Sequence, residues 1–144
     1  MDRAIPYTAP YPASIGYHPV RNALIAIATA TSGQITGGQF IHLDRDGHKL
    51  TKTEAIARGF QAPKETFGTI SGSTVHLPAR DKPWMYGLIP IRFLAESVEA
   101  GASIWQITGQ ETDIVLGVGN LRHAFRKRWR ASSRPPLGQG RCVG

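Results

Sequence analysis

The chain has 144 residues, with 17 Lys and Arg against 10 Asp and Glu and a single cysteine, Cys142. One cysteine excludes an internal disulfide and a cysteine-built zinc site, and no apolar run approaches the ~20 residues of a transmembrane helix. The length fits one modest core. We expect a cytoplasmic protein without a membrane partner, because prolines interrupt the start of the chain and no signal-peptide core follows it.

The net charge of +7 arises in the last part of the sequence. Residues 1–121 contain ten basic and ten acidic residues, whereas residues 122–144 contain seven basic residues and no acid. The sequence therefore predicts a neutral body and a basic tail. The tail is rich in Arg, Pro, Gly and Ser, a composition that favours disorder.

The first predicted elements are β-strands. Residues 1–22 contain four prolines and show no periodicity, so we expect little regular structure there. The apolar run at 23–30 and the alternating segment at 39–43 are typical of a hairpin or meander. Residues 44–49, "DRDGHK", contain Asp-Gly and predict a tight turn.

A short helix and two further strands complete the predicted N-terminal unit. Residues 53–60 predict one or two helical turns, capped by Thr51 or Thr53. Residues 68–77 predict a strand, a turn and a second strand. We therefore expect a small antiparallel β unit over residues 1–80.

Residues 81–121 have a different pattern. The apolar segment 88–96 predicts a strand, the helically spaced apolar residues of 98–107 predict a helix, and 112–120 predicts a second buried strand. This succession predicts a βαβ unit with parallel strands and a right-handed crossover. The predicted fold class is thus α+β. We expect residues 122–144 to form a disordered tail after the folded part.

Two glutamates lie where a parallel sheet carries its chemistry. Glu96 follows the first predicted strand, and catalytic groups in open parallel sheets lie beyond the carboxyl ends of strands. A carboxylate there can hold a divalent metal or transfer a proton. Glu99 falls in the first helical turn, where it is either a capping residue or a second acid of the site.

The sequence around these glutamates resembles a known family. A hydrophobic strand, "AESVEAGAS" at 95–103, a helix and "ETDIVLGVGNL" resemble the first βαβ unit of a Toprim domain, as in phage and plasmid type DNA primases and primase-helicases. That family typically has Ala-Glu-Gly-Ile/Val-Glu-Thr-Ala/Gly-Leu-Ser. The resemblance covers roughly 18–121, with Ser97 and Ala100 standing where the family has Gly and Thr.

The resemblance implies primer synthesis on single-stranded DNA with Mg²⁺. Glu96 matches the family's catalytic and metal-holding glutamate, and Glu99 matches its second acid. A Toprim domain also needs a later Asp-x-Asp pair to hold the metal, and none follows Glu96. The Asp-x-Asp at 44–46 precedes Glu96 and is typical of a turn. We therefore expect a truncated primase fragment that is inactive alone, with a Toprim nuclease fragment as the open alternative.

The tail has two interpretations. In the first, the chain is a non-catalytic nucleic-acid-binding or interaction module, whose phosphate contacts come from Arg122, Arg126, Lys127, Arg128 and Arg130. In the second, the tail is the product of a shifted reading frame and is foreign to the family. Either way, an unfinished parallel sheet with an open edge favours self-association or poor stability.

Overall fold

The computed structural model describes residues 12–124 and has an α+β fold. Its elements in chain order are β1 (Ile15–His18), β2 (Ala23–Thr29), β3 (Ile35–His42), α1 (Lys52–Ala57), β4 (Lys64–Gly68), β5 (Val75–Leu77), β6 (Met85–Tyr86), β7 (Ile89–Pro90), β8 (Phe93–Ala95), α2 (Val98–Thr108) and β9 (Thr112–Ile114). Residues 118–124 form a further helical segment. The predicted fold class is confirmed.

The N-terminal strands form a four-stranded antiparallel sheet in the order β1-β2-β3-β4. The predicted meander over β2 and β3 is therefore confirmed. The expectation of little regular structure before residue 22 was wrong for β1, because Ile15 is buried and the strand pairs along β2, a tertiary contact that local periodicity does not reveal. Residues 1–11 lie outside the described part of the chain.

The predicted turn at 44–49 is also confirmed. Asp44 Oδ1 accepts hydrogen bonds from the backbone N–H groups of Asp46 at 2.8 Å and His48 at 3.0 Å. Gly47 has a φ of +85°, which a residue without a Cβ adopts at little cost. The Asp-x-Asp sequence is accounted for by this turn geometry.

Helix α1 begins at one of the two predicted caps. Thr51 Oγ1 accepts the backbone N–H of Glu54, and the Glu54 carboxylate accepts the backbone N–H of Thr51, which is a complete capping box. The first strand predicted within residues 68–77 lies earlier in the chain, as β4, which ends at Gly68. The second predicted strand is β5, which does not pair with β4 but joins a second sheet.

That second sheet has the order β5-β9-β8, in which β8 and β9 are parallel and α2 connects them. The predicted parallel βαβ arrangement is confirmed, but its strands are shorter than expected. Residues 89–90 pair with β6 in a separate hairpin, where Pro90 does not interrupt a long ladder. After β9, Leu116 at φ +57° and Gly117 at φ +121° turn the chain out of the strand.

One hydrophobic core joins the two sheets and α2. Helix α2 lies so close to β9 that a Cβ at Gly101 would collide with the side chain of Ile114. Strand β5, expected in the N-terminal unit, pairs with β9, so the core crosses the predicted boundary at residue 80. The buried residues of this core are Ile15, Ala26, Ala28, Ile41, Leu43, Val75, Leu77, Ala95, Val98, Ala102, Trp105, Ile114 and Leu116.

Candidate functional site

Glu96 is exposed to solvent at the carboxyl end of β8. The carbonyl of Ala95 accepts the backbone N–H of Val115 at 2.9 Å, and the carbonyl of Glu96 accepts that of Gly117 at 2.8 Å. These bonds continue the parallel pairing past both strands. Glu96 therefore lies at the common carboxyl edge of β8 and β9, the position predicted for it.

The loop beside Glu96 has an unusual backbone. Leu116 adopts a positive φ without being glycine, a conformation that costs on the order of 1 to 3 kcal/mol. Gly117, also at positive φ, carries the N–H that reaches Glu96. Strained residues of this kind cluster at functional sites, and this one borders the exposed glutamate.

Asn120 fixes this loop in place. Its side-chain oxygen accepts the backbone N–H of Gly72 at 2.8 Å. Its side-chain nitrogen contacts the carbonyls of Val115 at 2.8 Å, Ile70 at 2.9 Å and Ser73 at 3.0 Å. The amide is buried and joins the loop after β9 to the loop before β5.

Glu99 has a different environment from Glu96. It is 5% exposed and its Oε2 lies 2.7 Å from Lys64 Nζ on β4, while its Oε1 lies 3.7 Å from Lys49 Nζ. Burial acts to raise the pKa of Glu99, but the hydrogen bond from Lys64 and the charges of both lysines outweigh it, so the pKa is lowered. Glu99 thus joins the start of α2 to the four-stranded sheet as an anion.

The cap of α2 is a third residue. Ser97 stands at the N-cap and its Oγ accepts the backbone N–H of Ala100 at 3.2 Å. Glu99 stands in the first turn beside this cap, and a hydrogen bond from its own backbone N–H also helps to lower the pKa of its carboxyl. Glu99 uses its carboxylate on the lysines, and its role as a second acid of a reaction remains a prediction.

The described residues around Glu96 do not form the carboxylate cluster that the Mg²⁺ of a Toprim domain needs. Within residues 12–124, two groups of acids and histidines lie close enough to share a cation: Asp44, Asp46 and His48 in the β3–α1 turn, and His76, Glu111 and Asp113 on the second sheet. Glu96 belongs to neither group. A single carboxylate does not supply the ligands that two-metal phosphoryl transfer needs, so the described residues do not fit the metal.

The second sheet carries an ionic network that sequence reasoning missed. Asp113 is buried on β9 and its Oδ1 lies 2.8 Å from Nδ1 of His76, its register partner on β5. Arg92 Nη2 contacts Asp113 Oδ2 at 2.9 Å and Glu111 Oε1 at 3.3 Å. The sequence did contain one indication of this network, since Asp113 lies within a mostly apolar predicted strand. Because Arg92 already pairs with both carboxylates, this geometry is that of an ion-pair network.

The predicted nucleic-acid contacts lie mostly outside the described residues. Arg122 is exposed on the helical segment 118–124. Arg126, Lys127, Arg128 and Arg130 fall beyond it, so their predicted role stays a prediction.

No protein family, curated protein or solved structure matches the chain. Among residues 12–124, no helix has the length and apolar character needed to cross a membrane.

Proposed function

We propose that the chain carries the glutamate-bearing part of a Toprim-type nucleotidyl-transfer unit of the DNA primase class, acting in the cytoplasm. The observation that carries the proposal is the exposure of Glu96 at the joint carboxyl edge of the parallel strands β8 and β9. The parent reaction extends a primer on single-stranded DNA, and its metal chemistry depends on Mg²⁺.

The two glutamates have separate tasks in this proposal. Glu96 is reachable from solvent, so its carboxylate can accept or donate a proton at a bound substrate. Glu99 is buried against Lys64 and positions the start of α2, directly after Glu96. The hydrogen bond from the Gly117 N–H to the Glu96 carbonyl fixes the backbone of Glu96 against the loop after β9. Glu96 is thus the reactive acid and Glu99 the positioning one.

We expect no primer synthesis from the 144-residue chain alone, because the described residues provide no carboxylate pair beside Glu96. The assay uses a single-stranded DNA template, ribonucleotides and Mg²⁺. Primer formation by the purified chain would contradict this part of the proposal.

Catalysis by Glu96 can be tested in a longer chain. We expect another reading frame beyond codon 121 to encode an apolar strand with an Asp-x-Asp. A chain rebuilt with that continuation should make primers, and Glu96→Gln should abolish them. Glu54→Gln is the matched control, because Glu54 is also an exposed acid near a helix start. Equal activity of both variants would overturn the role of Glu96.

A second candidate function rests on the concentration of charge in residues 122–144. We propose that this segment binds nucleic-acid phosphates if it belongs to the native protein. Replacing Arg122, Arg126, Lys127, Arg128 and Arg130 with Gln should then weaken DNA binding and flatten its salt dependence. An unchanged salt slope would remove this candidate.

A further inference from the structure

The outer face of the four-stranded sheet carries aromatic rings and a cation. Ile41 and Ala26 point to the core, so their strand neighbours Phe40 and Ile25 point the other way. Phe40 pairs across the strands with Glu65, and Phe67 lies on the same side opposite Gly38. We call the residues His18, Arg21, Phe40 and Phe67 the aromatic face.

The rings of the aromatic face contact one another. Phe40 and Phe67 have centroids 5.1 Å apart, and His18 lies 6.4 Å from Phe40 in an edge arrangement. The Arg21 guanidinium lies 4.8 Å from the Phe40 centroid. A Cβ at residue 38 would meet Phe67 Cζ at 2.7 Å, so Gly38 lets that ring lie close to the strand. Both phenylalanines remain partly exposed.

An open cleft of about 780 Å³ continues the aromatic face at Arg21. Phe60, Gln61 and Glu65 line it, so the cleft offers a ring, an amide and a carboxylate. These groups can stack on a nucleobase and hydrogen-bond to its edge.

A buried histidine lies behind the wall of this cleft. His42 is fully buried and stacks on Phe60 with centroids 3.8 Å apart and planes 9° apart. Its Nε2 faces Glu65 Oε2 at 3.6 Å, which is too long for a hydrogen bond. Among the described residues, neither ring nitrogen has a hydrogen-bond partner. The stacked imidazole supports the Phe60 ring from the buried side, so this ring forms a fixed wall of the cleft.

We propose that the aromatic face and the adjoining cleft bind single-stranded nucleic acid. Bases stack on Phe40 and Phe67, Arg21 contacts phosphate, and one nucleotide enters the cleft against Phe60. Four-stranded sheets with exposed rings bind splayed bases in this way. Arg21 lies over Phe40 and Lys64 lines the cleft, so the surface offers cations for phosphates beside rings for bases, the combination that single-strand binders use.

This inference rests on the proposed function for the choice of DNA as the natural ligand, but it concerns a different surface. The probe is a fluorescein-labelled oligothymidylate of about twelve nucleotides, within the site size of single-strand binders. Fluorescence anisotropy of the full chain gives the Kd at about 50 and 200 mM salt, which separates stacking from phosphate contacts.

We expect Phe40→Leu and Phe67→Leu each to raise the Kd about fivefold or more, at both salt concentrations. The corresponding tyrosine variants keep a ring and should bind within about twofold of the wild type. Arg21→Gln should weaken binding and reduce the salt slope. Its matched control is Arg80→Gln, since Arg80 also lies over a ring, that of Trp105 at 5.0 Å.

Unchanged binding by the double variant Phe40→Leu/Phe67→Leu would overturn the proposal and assign DNA binding to another surface, such as the basic tail. If that variant loses its far-ultraviolet circular dichroism, ultraviolet crosslinking of the wild type decides instead. Crosslinks to peptides containing Phe40 or Phe67 support the proposal, and their absence rejects it. Glu54→Gln, at an exposed acid outside the aromatic face and the cleft, should leave the Kd unchanged. The binding assay needs no primer synthesis, so failure of the proposed catalytic role stays distinguishable.

Discussion

The backbone N–H of Gly117 donates to the carbonyl of Glu96 at 2.8 Å, joining the residues that follow two parallel strands. This bond fixes the edge at which Glu96 faces solvent. Three residues later, Glu99 turns inward to Lys64. In the motif "AESVE", Glu96 is therefore exposed to solvent, whereas Glu99 is buried in an ion pair that stabilises the fold.

Glu99→Gln should destabilise the protein. The substitution removes the anion between Lys64 and Lys49 and leaves half-buried ammonium groups without a partner. We expect a loss of about 2 kcal/mol, less than for a fully buried pair because both lysines are partly exposed. Urea unfolding measures it. Glu96→Gln is the control and should change the free energy of unfolding by under about 0.5 kcal/mol.

The same ion pair should make stability depend on pH. Burial acts to raise the pKa of Glu99, but Lys64 and Lys49 lower it overall from its usual 4.5. The pair therefore stabilises the fold above pH 4.5, and this contribution disappears as the pH falls through the lower folded pKa. Unfolding curves between about pH 6 and 3 should show a smaller loss for Glu99→Gln than for the wild type. Parallel curves would contradict this assignment.

Asn120→Ala should loosen the edge beside Glu96. The variant leaves the buried N–H of Gly72 and the carbonyl of Val115 without their side-chain partner. We expect a loss of about 2 to 3 kcal/mol. Amide hydrogen exchange should accelerate most at residues 115–117. The exposed residue Gln34 provides the control, and Gln34→Ala should leave both measurements near the wild-type values.

Gly101→Ala tests the close approach of α2 to β9. The added methyl group would collide with the Ile114 side chain. We expect destabilisation of about 1 to 3 kcal/mol, despite the better helix propensity of alanine. Gly16→Ala is the matched control, because that position opens onto free space. A Gly101→Ala variant with a raised melting temperature would show that the helix can move away at little cost.

The sequence predicted elements whose signals are local. Strands β2 and β3, the Asp44 turn and the parallel pairing of β8 with β9 follow from short-range patterns. Strand β1 was not predicted from its own residues, because its extended conformation is stabilised by pairing with β2. The pairing of β5 with β9 likewise depends on residues far along the chain.

The candidate site was partly predictable for the same reason. Glu96 could be placed because it follows a strand, but the inward orientation of Glu99 depends on Lys64, 35 residues earlier. The clamp made by Asn120 and the pairing of His76 with Asp113 are also long-range. Contacts between residues so far apart in the chain leave no periodic pattern in the sequence. They become visible only in the folded structure.

Sequencing the coding DNA through and beyond codon 121, with translation of all frames, tests the proposed origin of Glu96 in a Toprim-type site. The proposed Toprim relationship predicts that another frame continues with an apolar strand and an Asp-x-Asp, which would supply the metal ligands that the described residues lack. If no frame encodes this continuation, the assignment of Glu96 to a Toprim-type site is contradicted, and DNA binding becomes the function to pursue.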